Sequence, residues 1–373
     1  MKDNLHAMIR PHLASLAVFG LAALATPVST LAQTPAPAAP AEPPAIRRWL
    51  DVQAVQAGLR YRWNKTSAEV VTADGIQWHG LTRGRLLFDA AGKYSVNMMA
   101  SAGPTYVASW NDTGIGKGDF VGKFWMRHLF LSAAPVSGLE LQVGGLGPNR
   151  GDVSENISYD MDGYLVGQRV TVRPTSGRIT QLSGTIGHFG VAQPNVFRRL
   201  DDSFDYNYGQ VLLGVRLTPR VTASVDYTHE DGRDILREAL VIRTPAAAKV
   251  VTGVRFEAYQ RVSDLERTGT NTFTGTPKGK GLNASVDLKF GKLTVNAGVM
   301  SVDRSYIPTV NGDRYGVGKR WYTIGTFPVT ADMSLIWYHT KAFDNTFPVP
   351  VNHRFDLIVI VNPTARLKRA GIF

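Results

Sequence analysis

Apolar and polar residues alternate along most of the chain from residue 50 onward. In segment 293–299 the odd positions are Leu, Val, Ala and Val, and the even positions are Thr, Asn and Gly. Segments 282–290 and 221–228 show the same period of two. Because successive side chains of a strand point to opposite faces, each segment predicts a β-strand with one apolar face and one polar face.

The connections between these segments alternate in length. Short links follow Phe88, Leu217 and Phe290, and long polar links span 64–76, 103–118, 147–162 and 304–318. A soluble sandwich buries its apolar faces against each other, whereas a transmembrane barrel has short turns at one end and long loops at the other. Lipid cannot hydrogen-bond to backbone amides, so a lipid-facing sheet must close on itself. The pattern therefore predicts an all-β protein: a transmembrane antiparallel up-and-down β-barrel of about sixteen strands, with fourteen or eighteen as alternatives.

Two strand assignments both give sixteen strands. In the first, segment 235–243 is a strand and the final strand ends near Val361. In the second, segment 235–243 is a loop and Ala365 to Phe373 form the closing strand. The first assignment is favoured because it places every long loop at the same end of the barrel.

Alternation is lost in segments 120–133, 321–327 and 333–343, where both faces would carry large apolar side chains. A bulge or a contact with a segment inside the barrel is expected there. If Leu129, Leu131, Ile336 and Tyr338 face inward, the interior is partly apolar and a barrel transporter for hydrophobic compounds gains support. A third alternative is a closed, filled barrel that acts as an anchor, an adhesin or an outer-membrane hydrolase.

The amino terminus predicts export. Lys2 and Arg10 precede an apolar stretch, and the small residues Thr30 and Ala32 precede a plausible cleavage point. This arrangement is typical of a secretory signal peptide, assigned to residues 1–32. Residues 33–48 are rich in Pro and Ala and predict an extended periplasmic linker. Residues 49–373 would then form a barrel in the outer membrane of a Gram-negative bacterium.

The chain is basic, with 41 Lys and Arg against 30 Asp and Glu, a formal charge of +11. If the apolar positions face lipid, the intervening positions face the lumen. The residues predicted to line the pore are Arg60, Arg62, Arg83, Arg85, Arg169, Arg173, Arg216, Arg255, Arg261, Glu257 and Asp287. A net positive lumen predicts a preference for anionic solutes. The alternative is that these arginines brace the wall through cross-strand ion pairs with acidic neighbours.

Several classes of chemistry are not predicted. The chain has no cysteine, which excludes disulfides and thiolate sites. Its eight histidines are scattered without metal-ligand spacing, and no nucleophile-elbow motif occurs. No catalytic residue, metal site or cofactor is predicted, so the chain is not expected to be an enzyme. An exported wall protein is also not expected to bind nucleic acid. The tripeptide Arg150–Gly151–Asp152 falls in a predicted external loop, where a turn is favoured over an adhesion motif.

The signal peptide, the alternating strands, the absence of cysteine and the terminal Phe373 together resemble the bacterial outer-membrane porins. The resemblance implies a passive ion and solute channel for small hydrophilic molecules, surrounded by outer-membrane lipid and lipopolysaccharide, with a homotrimer as the candidate assembly. It also implies that Phe373 ends the last strand and is read by the barrel-assembly machinery. A weaker resemblance, carried by Thr82 to Gly103 and the following LELQVGGLGPNRG, is to the phosphate-selective porin type.

Overall fold

Strands dominate the structure, as the alternation predicts. The computed structural model describes residues 49–373 except 107, 117, 155–164, 190–194, 202–203, 231–232, 246, 263–264, 269–271, 276–278, 304–317 and 344–350. The signal peptide and the linker assigned to residues 1–48 lie outside the described residues. The strands are β1 (Leu50–Lys65), β2 (Val71–Leu87), β3 (Tyr94–Ala102), β4 (Asn111–Asp112), β5 (Phe124–Ala133), β6 (Leu139–Leu146), β7 (Leu165–Val172), β8 (Ile179–His188), β9 (Tyr208–Thr218), β10 (Val221–Glu230), β11 (Arg233–Arg243), β12 (Val251–Arg261), β13 (Leu265–Thr268), β14 (Thr272–Gly275), β15 (Lys280–Phe290), β16 (Leu293–Val302), β17 (Gly318–Pro328), β18 (Met333–Ala342) and β19 (His353–Val361).

One antiparallel sheet closes on itself. Of its 17 strands, β4 is a two-residue addition beside β2, and the other sixteen form the wall. The last wall strand pairs with the first, from Ala57 opposite Val361 to Lys65 opposite His353. Strands β13 and β14 form a separate hairpin. The prediction of an all-β up-and-down barrel of sixteen strands is confirmed.

The structure decides between the two strand assignments. Segment 235–243 belongs to β11, and the chain leaves the wall after Val361, so the favoured assignment is confirmed and the second is wrong. Residues Thr364–Arg369 form a short helix instead of a closing strand. Pro363 has no amide hydrogen to donate to a ladder, which favours a break at this point. Phe373 therefore does not end the last strand, contrary to what the porin resemblance implies.

The tail covers part of a free sheet edge. The amide of Val55 on β1 donates to the hydroxyl of Thr364 at 2.7 Å, and Lys368 lies 3.0 Å from the carboxylate of Asp51. Residues 50–56 of β1 lie before the stretch that pairs with β19. The tail thus satisfies backbone groups that the barrel seam leaves open.

The burial pattern is the reverse of that in a soluble protein. Along β1, Leu59 and Tyr61 are 55% and 39% exposed, whereas Arg60 between them is 6% exposed. Residues directly opposite in a ladder share a face, so the register extends this division around the wall. Apolar side chains point outward and polar side chains inward, which is the arrangement of a barrel in lipid. Within the described residues, no helix has both the length and the apolar character needed to cross a membrane.

One connection differs from the sequence prediction. Segment 64–76 is not a long loop, because the pairing of β1 with β2 continues to Lys65 opposite Val71 and leaves only 66–70 unpaired. The hydroxyl of Tyr61 donates to Asp74 at 2.9 Å across this extended hairpin. Strands β10 and β11 are likewise joined across only two residues, since Glu230 pairs with Arg233. The remaining long connections lie at the same end of the barrel, opposite the short turns.

Candidate functional site in the barrel lumen

The loop after β6 enters the barrel and follows its inner wall. We call residues 147–154 the lumen loop. Asn149 donates to Ser183 on β8 at 2.6 Å, and its carbonyl accepts from Gln210 on β9 at 2.9 Å. The amide of Asp152 then donates to Ser224 on β10 at 2.7 Å. The loop therefore crosses the inner faces of β8, β9 and β10 in succession.

The far end of the lumen loop is fixed by Glu257. Its carboxylate accepts from the amide and hydroxyl of Ser154 at 2.8 and 2.9 Å, and also from Tyr259 at 2.6 Å and Asn283 at 3.0 Å. Glu257 is only 3% exposed. This predicted pore-lining acid is therefore an anchor for the loop, with little surface open to a solute.

A glycine allows the close contact between loop and wall. A Cβ added at Gly151 would lie 2.5 Å from both Cβ and Oγ of Ser224, far closer than real Cβ atoms approach. The tripeptide Arg150–Gly151–Asp152 thus lies against β10 inside the barrel, so its predicted place in an external loop is wrong. Gly151 is required there for close packing.

The connection between β3 and β5 also contributes to the interior. The indole ring of Trp110 covers the guanidinium of Arg60, whose Cζ lies 4.3 Å from the ring centroid. The carbonyl oxygen of Ser109 lies 2.8 Å from Nδ1 of His79. The connection is held by Arg127, which donates to the carbonyl oxygens of Ala102 and Ala108, both at 3.0 Å. Trp110 and Arg127 place a cation–π contact and a buried guanidinium on the inner side of the wall.

Three arginines converge on one carboxylate. Arg62 makes two parallel bonds to Asp356, at 2.9 and 2.8 Å, Arg354 donates to it at 3.1 Å, and Arg60 lies 3.9 Å away. Asp356 is fully buried. Paired guanidinium–carboxylate contacts are strong and directional. Asp356 is therefore the common partner of three arginines, two on β1 and one on β19.

The predicted pore-lining residues fall into two groups by their surroundings. Arg60, Arg261 and Glu257 are almost fully buried, and Arg169 donates to the carbonyl of Gly147 at 2.6 Å at the start of the lumen loop. The more open members are Arg62, Arg83, Arg85, Arg173, Arg216, Arg255 and Asp287. Ten of them lie in the ladders at positions whose partners share the inner face. Arg173 follows β7 by one residue, and its guanidinium lies 3.2 Å from Glu140. That the open group lines a conducting pore remains a prediction.

Cavities border the lumen loop on the inner side of the described wall, and two of them bear on the site. The larger, about 610 Å³, is lined by Pro148, Arg150, Gly151, Val153, Ser154, Arg255, Asp287, Asn296, Ile324 and Tyr338. The smaller, about 260 Å³, includes Arg83, His128 and Arg169. Pro148 borders both. Among the described residues no group of three or more His, Cys, Asp or Glu is placed to hold a metal ion.

Comparison with known proteins bears on the fold. No protein-family model matches the chain, and no curated protein matches it. OmpF of Salmonella typhi, in a complex with daunomycin, has a TM-score of 0.53 and 12% sequence identity, over 86% of this chain and 100% of that chain. The chain has the fold of the bacterial porins. A mutant of the Rhodopseudomonas blastica porin has a TM-score of 0.46 and 11% identity, over 84% and 99% of the two chains.

Part of the lumen of this porin fold is apolar. Five side chains on the inner face of β17, β18 and β19 form what we call the inner apolar stripe. Its members are Ile324, Ile336, Tyr338, Ile358 and Ile360. The outward residues Leu335 and Trp337 on β18 are also apolar, which explains why alternation is lost in segment 333–343. Of the four residues whose inward orientation would indicate an apolar interior, Ile336 and Tyr338 face inward and belong to the stripe, whereas Leu129 and Leu131 face outward.

Three buried arginines were missed by the sequence pattern. Arg127 sits at a bulge in β5, where Met99 pairs with His128 but Ala100 pairs with Met126, so counting by twos puts it on the wrong face. Arg237 and Arg320 lie in strands that mix charged and apolar residues on the inner face. The sequence did contain a sign of these buried arginines: Arg237 and Arg320 lie two residues from apolar side chains on the same face of the strand.

Proposed function

We propose that the protein is an outer-membrane porin, a passive diffusion channel for small hydrophilic solutes and not an enzyme. The observation that carries the proposal is the reversed burial of a closed sixteen-strand wall, apolar outside and polar inside, with open volume beside the lumen loop. Barrels of this strand number leave an aqueous channel rather than a packed interior. The closed anchor, adhesin and hydrolase alternatives would need a filled interior.

We also propose a preference for anions. The three arginines around Asp356 support it, as do the open side chains of Arg83 and Arg216. Other arginines fit the alternative role, in which ion pairs with acidic neighbours brace the wall. Arg85 lies 2.9 Å from Asp51, and Arg173 lies 3.2 Å from Glu140. Cations that exceed their local carboxylates set the sign of the potential in a pore with low-dielectric walls.

Conductance in a planar lipid bilayer tests both statements. The full mature chain, incorporated under a gradient of KCl, is expected to conduct and to give a reversal potential that favours chloride. Absence of conductance from a folded barrel would reject the channel. A reversal potential that favours potassium would reject the anion preference and leave the channel intact.

The remaining partners follow from location. We propose that the outer face contacts outer-membrane lipid and lipopolysaccharide, that residues 1–32 are removed on export, and that the barrel-assembly machinery inserts the chain. Edman sequencing of protein purified from outer-membrane fractions would check the cleavage site.

A homotrimer is proposed on the strength of one outward carboxylate. Glu238 on β11 is exposed between Val225 and Ala258 in an apolar groove of about 810 Å³ on the outer face. A charge facing lipid is unfavourable, and a second copy covering the groove would remove it from lipid. The mass of the complex in mild detergent tests this: Glu238→Leu is expected to weaken the trimer. The trimer is contradicted if the native protein is a monomer and Glu238→Leu only increases its stability. In that case Glu238 faces lipid in the native protein.

A further inference from the structure

Cationic and apolar groups meet in the larger lumen cavity. Arg255 and Arg150 lie on its border together with Ile324 and Tyr338, which belong to the inner apolar stripe. At about 610 Å³ the cavity is in the size range of small-molecule sites. A wall that only had to pass water and ions would gain nothing from these apolar side chains.

Arg255 is the cation that we assign to solute binding, because its guanidinium makes weak contacts with the wall. Its nearest carboxylate oxygen, Oε1 of Glu257, is 3.7 Å away. That carboxylate already accepts four hydrogen bonds, from Ser154, Tyr259 and Asn283. Among the described residues, the buried Nε of Arg255 has no hydrogen-bond partner. A guanidinium in this state retains donors for an incoming anion.

The acidic residue on the border of the cavity, Asp287, accepts a hydrogen bond from the wall. Oδ1 of Asp287 accepts from the side-chain Nδ2 of Asn296 at 2.8 Å. With Arg150 and Arg255 as the cations and Asp287 as the acid, the border carries a net charge of +1. The cavity therefore suits a monoanion better than a dianion or a cation.

We propose that this cavity is a selectivity site for amphipathic monoanions, namely carboxylates with an aromatic or branched aliphatic body. The carboxylate meets Arg255 while the apolar body lies against Ile324 and Tyr338. This inference rests on the proposed channel function and names the class of solute that the channel favours. It also accounts for an apolar stripe inside an otherwise polar lumen.

Permeability ratios in bilayers test the site, with benzoate and acetate as probes and chloride as the reference anion. Benzoate is the larger ion, so simple diffusion would favour acetate. We expect the reverse, a benzoate preference on the order of fivefold, which is the effect of one partly buried aromatic contact. Brief benzoate-dependent interruptions of the chloride current are expected as well.

Two variants locate the effect. Ile324→Asn is expected to remove the benzoate preference while chloride conductance persists, and Arg255→Gln is expected to lower the permeability of both carboxylates. Thr326→Asn is the matched control for Ile324→Asn, because Thr326 faces the lumen outside this cavity. Arg216→Gln removes the same charge outside the cavity and is expected to lower the permeability of chloride and of both carboxylates alike, whereas Arg255→Gln should lower the carboxylates relative to chloride. Altered gel mobility of the unheated barrel reports whether each variant folds.

The outcomes separate the two proposals. A folded barrel that does not pass chloride rejects the channel and the site together. A barrel that passes chloride but favours acetate over benzoate rejects only the site. An equal preference for benzylammonium would assign recognition to Asp287 and overturn the role of Arg255.

Discussion

The guanidinium of Arg237 lies 2.9 Å from the carboxylate of Asp226, and both side chains are only 2% exposed. Thr228 donates to the same carboxylate at 3.0 Å, and Gln210 reaches it at 3.4 Å while also holding the lumen loop. This pair is a brace between β10 and β11, shielded from any solute. Lumen charge is therefore divided between groups that hold the wall together and groups that face the open volume.

Breaking the brace should destabilise the barrel. Asp226→Leu removes the carboxylate that the buried guanidinium of Arg237 contacts at 2.9 Å, at a cost of about 3–5 kcal/mol. The double variant Asp226→Leu with Arg237→Met should recover most of the loss, since neither charge remains. Urea titration of the barrel refolded into vesicles measures both. Asp287→Asn, in the open cavity, is the control, and an equal loss in that variant would contradict a special role for the buried pair.

Selectivity should depend on unpaired charge. The polar contact of Arg83 is to the sulfur of Met99 at 3.4 Å, whereas Arg85 is paired with Asp51. Arg83→Gln is expected to shift the reversal potential toward cations, because it removes net charge from the lumen. The double variant Arg85→Gln with Asp51→Asn removes an arginine at constant net charge and should leave the potential unchanged. Equal shifts would show that arginine number rather than net charge governs selectivity.

The sequence predicts the wall far better than it predicts the lumen. Outward positions such as Leu59 and Leu357 are mostly apolar because they face lipid, so a period of two reveals them. Inward positions obey no single rule, because Glu257 anchors a loop, Arg60 lies under Trp110 and the stripe is apolar. Loop placement depends on contacts between residues far apart in the chain, such as Ser154 with Glu257, and no local pattern encodes these.

The lumen loop should limit conductance. Gly151→Val places side-chain atoms where Ser224 stands, so the loop must leave the inner wall of β10. We expect single-channel conductance to change markedly, with broader current fluctuations as the loop loses its fixed position. Gly184→Ala is the control, since an added Cβ there meets nothing within 4 Å. Wild-type conductance and noise in Gly151→Val would show that the loop does not border the permeation path.

The terminal phenylalanine offers a way to separate assembly from stability. Phe373 lies outside the wall, beyond the helix Thr364–Arg369, and borders a small cavity with Leu50 and Leu87. If the barrel-assembly machinery reads Phe373, Phe373→Ala should reduce the amount of folded barrel in outer membranes while the purified protein refolds with unchanged stability. Thr364→Val is the matched variant, because it should lose about 1 kcal/mol through its bond to Val55 without affecting delivery. Normal delivery of Phe373→Ala would mean that the machinery reads another segment, for which the edge of β19 is the next candidate.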